Sequence, residues 1–182
     1  MPNALDLEVA VSDRDHHQGD AAAPITLVEY GDFECPYCGA AFAVLQGVQR
    51  RMGAGLRFVF RHFPLTEIHP NAELAAEAAE AAGAQGKFWE MHDALYERQS
   101  ELGPDLIHVL ARDLNLDGAR FFQDIEQRRF LPRVTSDFRG GMKSGVVGIP
   151  GFFINGRFYQ GSWAAGPLMA ALELESAQRK AG

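Results

Sequence analysis

The feature that most restricts this 182-residue chain is a step near residue 34, where ITLVEYGDF (25–33) gives way to Glu34-Cys35-Pro36-Tyr37-Cys38. The first run is rich in β-branched and aromatic residues and predicts a strand buried on both faces. Proline at position 36 suits the first turn of a helix, where its missing N–H is not needed. Phe42, Leu45, Val48 and Met52 then recur at helical spacing, Gly53 and Gly55 end the run, and LRFVFRHF (56–63) predicts a second strand. Strand, helix, strand is a βαβ unit, which implies a parallel pair and a right-handed crossover.

Outside this unit the periodicities change twice. Leu5, Leu7, Val9 and Val11 alternate with other residues and predict an N-terminal strand, followed by a polar loop over SDRDHHQGD. From about residue 69 to 145 the chain turns helical. ELAAEAAEAAGAQ is built of helix formers, Phe88, Met91, His92 and Leu95 share one face, and Val134, Phe138 and Met142 form another. Pro104 predicts a helix start and Asp117 an N-cap, so this block amounts to four or five helices. Phe152 to Ile154 then predict a strand, Asn155-Gly156 a tight hairpin, and Arg157 to Gln160 its return. A last helix over 165–177 carries Leu168, Met169, Leu172 and Leu174. The order βαβ, helices, ββα is an α/β chain. It divides into a strand and loop over 1–22, a main domain over 23–68 and 146–182, and an all-helical insertion over 69–145.

Composition removes several function classes. A net charge of −7 argues against nucleic acid or an anionic membrane as partner. The apolar stretches are too short and too interrupted to span a bilayer. The first twenty residues lack a basic n-region and carry Asp6 and Glu8 where a signal's apolar core belongs, so a cytoplasmic location is expected. The two cysteines cannot form a disulfide framework. A bridge between them would close so small a loop that it adds little stability. Such a bond is there to be made and broken.

Cys35 falls at the N-cap of the predicted helix, where unpaired N–H groups and the helix dipole favour a thiolate. Cys38, one turn inside, is within reach and less exposed, so Cys35 reads as the nucleophile and Cys38 as the resolving thiol. Asp32 and Glu34 oppose the thiolate slightly. Glu29 interrupts an apolar strand, where burial would raise its pKa and suit it to take the Cys38 proton; it could equally point to solvent. Pro150 reads either as a strand-entry proline or as a cis-proline that leaves the Ile149 backbone facing outward for an extended substrate. His92 is a packed core residue, His16 and His17 are solvated, and His62 and His69 flank FPLTEI without an assigned role.

VEYGDFECPYC, FRHFPL, HPNAELAAEAAEAAGAQGKFWEMHDALYE and PGFFINGRFYQG resemble the DsbA-like branch of the thioredoxin superfamily, especially the cytoplasmic or antiporter-fused thioredoxin-like proteins of bacteria. The resemblance spans roughly residues 9–177. It implies a thioredoxin fold with an inserted helical domain and a protein disulfide oxidoreductase with no bound cofactor and no metal. Protein or peptide thiols and disulfides are the substrates and a second dithiol is the recycling partner. It maps nucleophile and resolver onto Cys35 and Cys38, the buried acid onto Glu29 and the cis-proline onto Pro150; Pro36, Tyr37 and Ile149 complete the substrate contacts. Pro36-Tyr37 replaces the Pro-His of strongly oxidising members and matches glutaredoxins, which implies a less oxidising couple. Ile149 and Gly151 also depart from the Val or Thr and the Thr common beside the cis-proline. Three other readings stand beside this one. A zinc site would need two histidines to join the CxxC. A kappa-type glutathione transferase or isomerase would use a single serine near the same helix start. A peptide-binding module would have no use for both thiols.

Overall fold

The computed structural model describes residues 6–181. A five-stranded sheet runs in the order β1-β3-β2-β4-β5, with β1 at His16–Gln18, β2 at Ile25–Gly31, β3 at Leu56–His62, β4 at Gly151–Ile154 and β5 at Arg157–Phe158. Helix α1, Pro36–Met52, links β2 to its neighbour β3, giving the expected strand–helix–strand unit. Helices α2 (Ala72–Gly83), α3 (Phe88–Glu97), α4 (Pro104–Asp113), α5 (Gly118–Glu126) and α6 (Leu131–Lys143) follow, and α7 (Ala165–Ala181) ends the chain.

By compactness the chain forms two units, one of residues 1–30, 40–61 and 140–182 and the other of 31–39 and 62–139. The first holds nearly all of the sheet. Leu27, Val28, Tyr30, Phe58, Phe60 and Phe153 are buried on it, together with Leu45 and Val48 of α1 and Leu168 and Leu172 of α7. In this unit β4 pairs antiparallel with β2, setting Glu29 opposite Phe152 and Tyr30 opposite Gly151. The Ile149–Pro150 peptide bond leading into β4 is cis. Asn155 and Gly156 both have positive φ, 49° and 85°, as a two-residue turn between β4 and β5 requires. Asn155 also accepts the Thr26 N–H on Oδ1 at 2.9 Å.

The second unit is organised around α2, which packs against α3, α4 and α5. Alanines lie on most of its faces, and all seven are buried. Its two enclosed glutamates are neutralised locally. Glu77 pairs with Arg128 at 2.7 Å and Glu80 with His62 at 2.8 Å. Pro104 opens α4, and the Asp117 side chain caps α5 by accepting the Arg120 N–H.

Five expectations at the chain ends and helix faces need correction. No strand forms over 7–11; only Asp6 makes an isolated bridge, to Arg157, and Leu5 lies outside the described residues. The Leu7 N–H donates to the Gly156 carbonyl at 2.7 Å, and beyond it Arg61 takes the carbonyls of Val9 and Ala10 at 2.8 and 3.2 Å. Within the stretch read as loop, His16 to Gln18 form β1 against Phe58 to Phe60. The return strand stops at Phe158, and α7 continues to Ala181 with Leu174 exposed. Met142 of α6 is likewise exposed.

Candidate active site

Both cysteines stand at the start of α1, and no disulfide joins them. Cys35 precedes the first helical residue, and its carbonyl accepts the Gly39 N–H at 3.0 Å, which is the N-cap arrangement. Cys35 keeps 4% of its surface and Cys38 none, so both are buried and the difference between them is small. Pro36 and Tyr37 between them are exposed, Tyr37 to 65%.

The Cys35 thiol is lowered from 9.0 to about 6. The largest cause is the hydrogen bond from the Cys38 side chain. Burial works against it, the backbone N–H groups of Cys38 and Tyr37 add to it, and the charge of Asp32 opposes it. Proximity of the second thiol thus does more here than the helix end alone. The ordering sets a pH dependence. Because the acid is lowered, the thiolate is present above about pH 6 and lost below it. Alkylation of the reduced protein by iodoacetamide should rise with a midpoint near pH 6, whereas an ordinary cysteine titrates near pH 8.5. A midpoint above 8 would contradict this arrangement.

The turn is held by contacts from its own unit. Phe33, 1% exposed, packs against Tyr96, His92 and His62 with ring centroids 5.0, 5.5 and 6.0 Å away. Gln99, in the short 3-10 turn after α3, donates Nε2–H to the carbonyls of Phe33 at 2.8 Å and Cys35 at 2.9 Å. Gly39 leaves room for this side chain, since a β-carbon there would lie 2.5 Å from Gln99 Oε1. Glu34 accepts from the Asn71 backbone N–H at 2.6 Å and its amide at 3.0 Å. Asp32 accepts from the N–H groups of Glu34 and Leu65 and bonds the His69 ring. Of these partners, His92 is packed as its helix face predicts, His62 and His69 carry no role in the sequence reading, and Tyr96, Gln99, Asn71 and Leu65 are not singled out by it. The remote hydrogen-bond partners lie 33 to 66 positions from the turn, so no spacing rule connects them.

Of the remaining sequence candidates, Glu29 is 1% exposed in the middle of β2 and does not point to solvent. Ile149 and Pro150 lead into β4, the antiparallel partner of β2. These three belong to the sheet unit, while Cys35, Pro36, Tyr37 and Cys38 belong to the helical one. Among the described residues no group of three His, Cys, Asp or Glu is placed to hold a metal ion, and no helix is long and apolar enough to cross a membrane.

A family model described as Thioredoxin matches residues 11–173. Among curated proteins, the chain is 48% identical over 169 residues to the Na(+)/H(+) antiporter NhaA 1 of Salinispora arenicola, covering 92% of this chain and 26% of that protein. The chain thus spans about a quarter of the length of the curated relatives it matches. Among solved structures, a thioredoxin-like oxidoreductase from Silicibacter pomeroyi aligns at a TM-score of 0.79 and 24% identity, over 94% of this chain and 95% of that one. The α-DsbA1 of Wolbachia pipientis aligns at 0.81 and 20%, over 92% and 94%.

Proposed function

Since the chain belongs to the thioredoxin family, we propose that it is a thiol–disulfide oxidoreductase of the DsbA-like type, acting on protein or peptide cysteines through Cys35 and Cys38. The observation that carries this reading is the single lowered thiol, Cys35, at a helix start with a second thiol hydrogen-bonded to it. Two structural neighbours, a thioredoxin-like oxidoreductase and an α-DsbA1, agree with it.

In the reducing direction the Cys35 thiolate attacks one sulfur of a substrate disulfide. That S–S bond breaks, a Cys35–substrate disulfide forms, and the departing thiolate takes a proton from solvent. Cys38 then gives up its proton and attacks Cys35 Sγ, which releases the second substrate thiol and leaves Cys35–Cys38 oxidised. Two electrons have passed to the substrate, and a partner dithiol restores them. Run backwards, the same steps oxidise a substrate dithiol. The proton that Cys38 gives up goes to the departing substrate sulfur. The exposed Pro36 and Tyr37 are the proposed contacts for an extended substrate backbone.

A Cys35 pKa of about 6 lies between the values of about 7 for thioredoxin and about 3.5 for DsbA. Favouring the thiolate favours the reduced state. At pH 7 this makes the couple more oxidising by at most about 30 mV, and by less once solvent screening is counted. Equilibration against glutathione, followed by alkylation and mass analysis, tests the proposal. It should give one two-electron transition at a potential between those of thioredoxin and DsbA, and the reduced protein should cleave insulin disulfides. A protein that never forms the Cys35–Cys38 bond in oxidised glutathione would refute the proposal. Tightly bound zinc or glutathione conjugation by a serine would put another reading in its place.

A further inference from the structure

The loop that follows β3 meets both acids of the cysteine turn, and it treats them differently. Glu34 is turned toward Asn71 and spends both carboxylate oxygens there. Asp32 stays beneath the turn with its side chain fully buried. Its Oδ1 accepts the Glu34 N–H at 2.8 Å, and its Oδ2 accepts the Leu65 N–H at 2.9 Å and faces His69 Nδ1 at 2.7 Å. The Cys35 N–H in turn donates to the Asp32 carbonyl at 3.2 Å, so the acid and the thiol share one backbone turn.

A buried carboxylate this close should hinder ionisation of the thiol, because like charges in a poorly screened site repel. Asp32 does act on Cys35 in that sense, yet it ranks last among the causes. Its hydrogen-bond donors are the groups placed to hold that charge in check. Two of its donors are neutral backbone N–H groups. The third is an imidazole, the one group among its hydrogen-bond partners that can carry a positive charge. The ring is 15% exposed and borders solvent. The titratable groups at this turn are therefore Cys35, Cys38, Asp32, His69 and the outward-turned Glu34.

We infer that His69 is a positioning residue of the redox turn: its Nδ1–H, given to Asp32 Oδ2, draws that carboxylate's charge away from Cys35. In doing so it keeps the nucleophile ionisable and fastens residues 65–69 against the turn. The histidine missing between the two cysteines is thus replaced functionally from another part of the chain, acting through an aspartate rather than on the sulfur. The inference deepens the proposed function, but its test needs no substrate.

The midpoint of Cys35 ionisation, read on the reduced protein by thiolate absorbance and alkylation rate, decides it. His69→Ala should raise that midpoint by about one pH unit, the low end of what a lost opposite charge does. The Leu65 and Glu34 N–H groups still donate to Asp32 when the ring is gone. His69→Asn retains an N–H donor near the Nδ1 position and should recover part of the shift. Asp32→Asn should lower the midpoint below that of the parent, and adding His69→Ala to it should change nothing further, since the charge to be compensated has been removed. An unmoved midpoint in a folded His69→Ala protein overturns the inference, and so does an equal shift on the Asp32→Asn background. Should the alanine variant not fold, Asp32→Asn alone still decides, because an unchanged or raised midpoint there is incompatible with the scheme. A protein that shows these shifts but exchanges no disulfides would lose the functional reading and keep this one.

Discussion

Cys35→Ser abolishes disulfide exchange, in the expected result of an insulin-reduction assay, with a loss of about four orders of magnitude or more. A serine hydroxyl is not measurably ionised at neutral pH, whereas a thiol of pKa about 6 is about nine-tenths thiolate at pH 7. Cys38 substitutions should behave otherwise, and the two obvious ones should differ. Both remove the resolving thiol, so both should accumulate Cys35–substrate mixed disulfides visible on non-reducing gels. Cys38 also supplies the hydrogen bond that is the largest cause of the lowered Cys35 pKa. Serine keeps a donor at that place and alanine does not. Cys38→Ala should therefore capture substrate more slowly than Cys38→Ser at pH 6 to 7, and the gap should close above pH 9, where any thiol is ionised. Equal capture rates across that range would show that the neighbouring thiol does not set the reactivity of Cys35. Full turnover by Cys35→Ser would remove the assignment altogether.

The largest expected loss of stability comes from the sheet unit. Arg61 is buried in β3, its side chain 3% exposed, and meets Asp15 through Nε at 2.8 Å and Nη2 at 3.0 Å. Its remaining hydrogens go to the Val9 and Ala10 carbonyls and the Tyr30 hydroxyl. Burial is the largest influence and works against this charge, but the hydrogen bonds and charges of Asp15 and Tyr30 together more than offset it, so the guanidinium is held above its ordinary pKa. Asp15→Ala removes the counter-charge and leaves a cation enclosed without one, at a cost of about 3–5 kcal/mol. It also frees the Ser12 N–H, which Asp15 accepts at 2.8 Å. The check is urea unfolding: the midpoint should fall sharply with little change in slope. Asp15→Leu combined with Arg61→Met should regain most of the loss, because an apolar pair needs no solvation. A single-mutant loss below about 1 kcal/mol would mean that water reaches Arg61.

Where a structural choice is made by neighbouring residues, the reading from sequence holds. Pro104 and Asp117 start their helices, and Asn155-Gly156 turns its hairpin, because missing N–H groups, caps and positive φ are local matters. Errors fall where a partner remote in the chain decides. The alternation of Leu7, Val9 and Val11 fits a strand, yet a strand needs a second strand. The carbonyls of residues 9 and 10 are taken by a side chain more than fifty positions away. Conversely, His16-His17-Gln18 has no apolar pattern and becomes a strand through pairing with Val59 and its neighbours. Periodicity likewise places Glu77 and Glu80 in a helix but says nothing of their burial, which depends on Arg128 and His62 arriving.

The amino-acid order by itself determined that two thiols would share the first turn of a helix behind a buried strand. Residues 25 to 38 dictate this through propensity, proline geometry and spacing alone. The tertiary structure decided how acidic the first thiol is. That depends on which charges and donors surround it, and Asn71, His69 and Gln99 reach the turn only once the chain has folded back on itself. Coulomb and hydrogen-bond energies depend on distance in space, and distance along the chain carries no record of it.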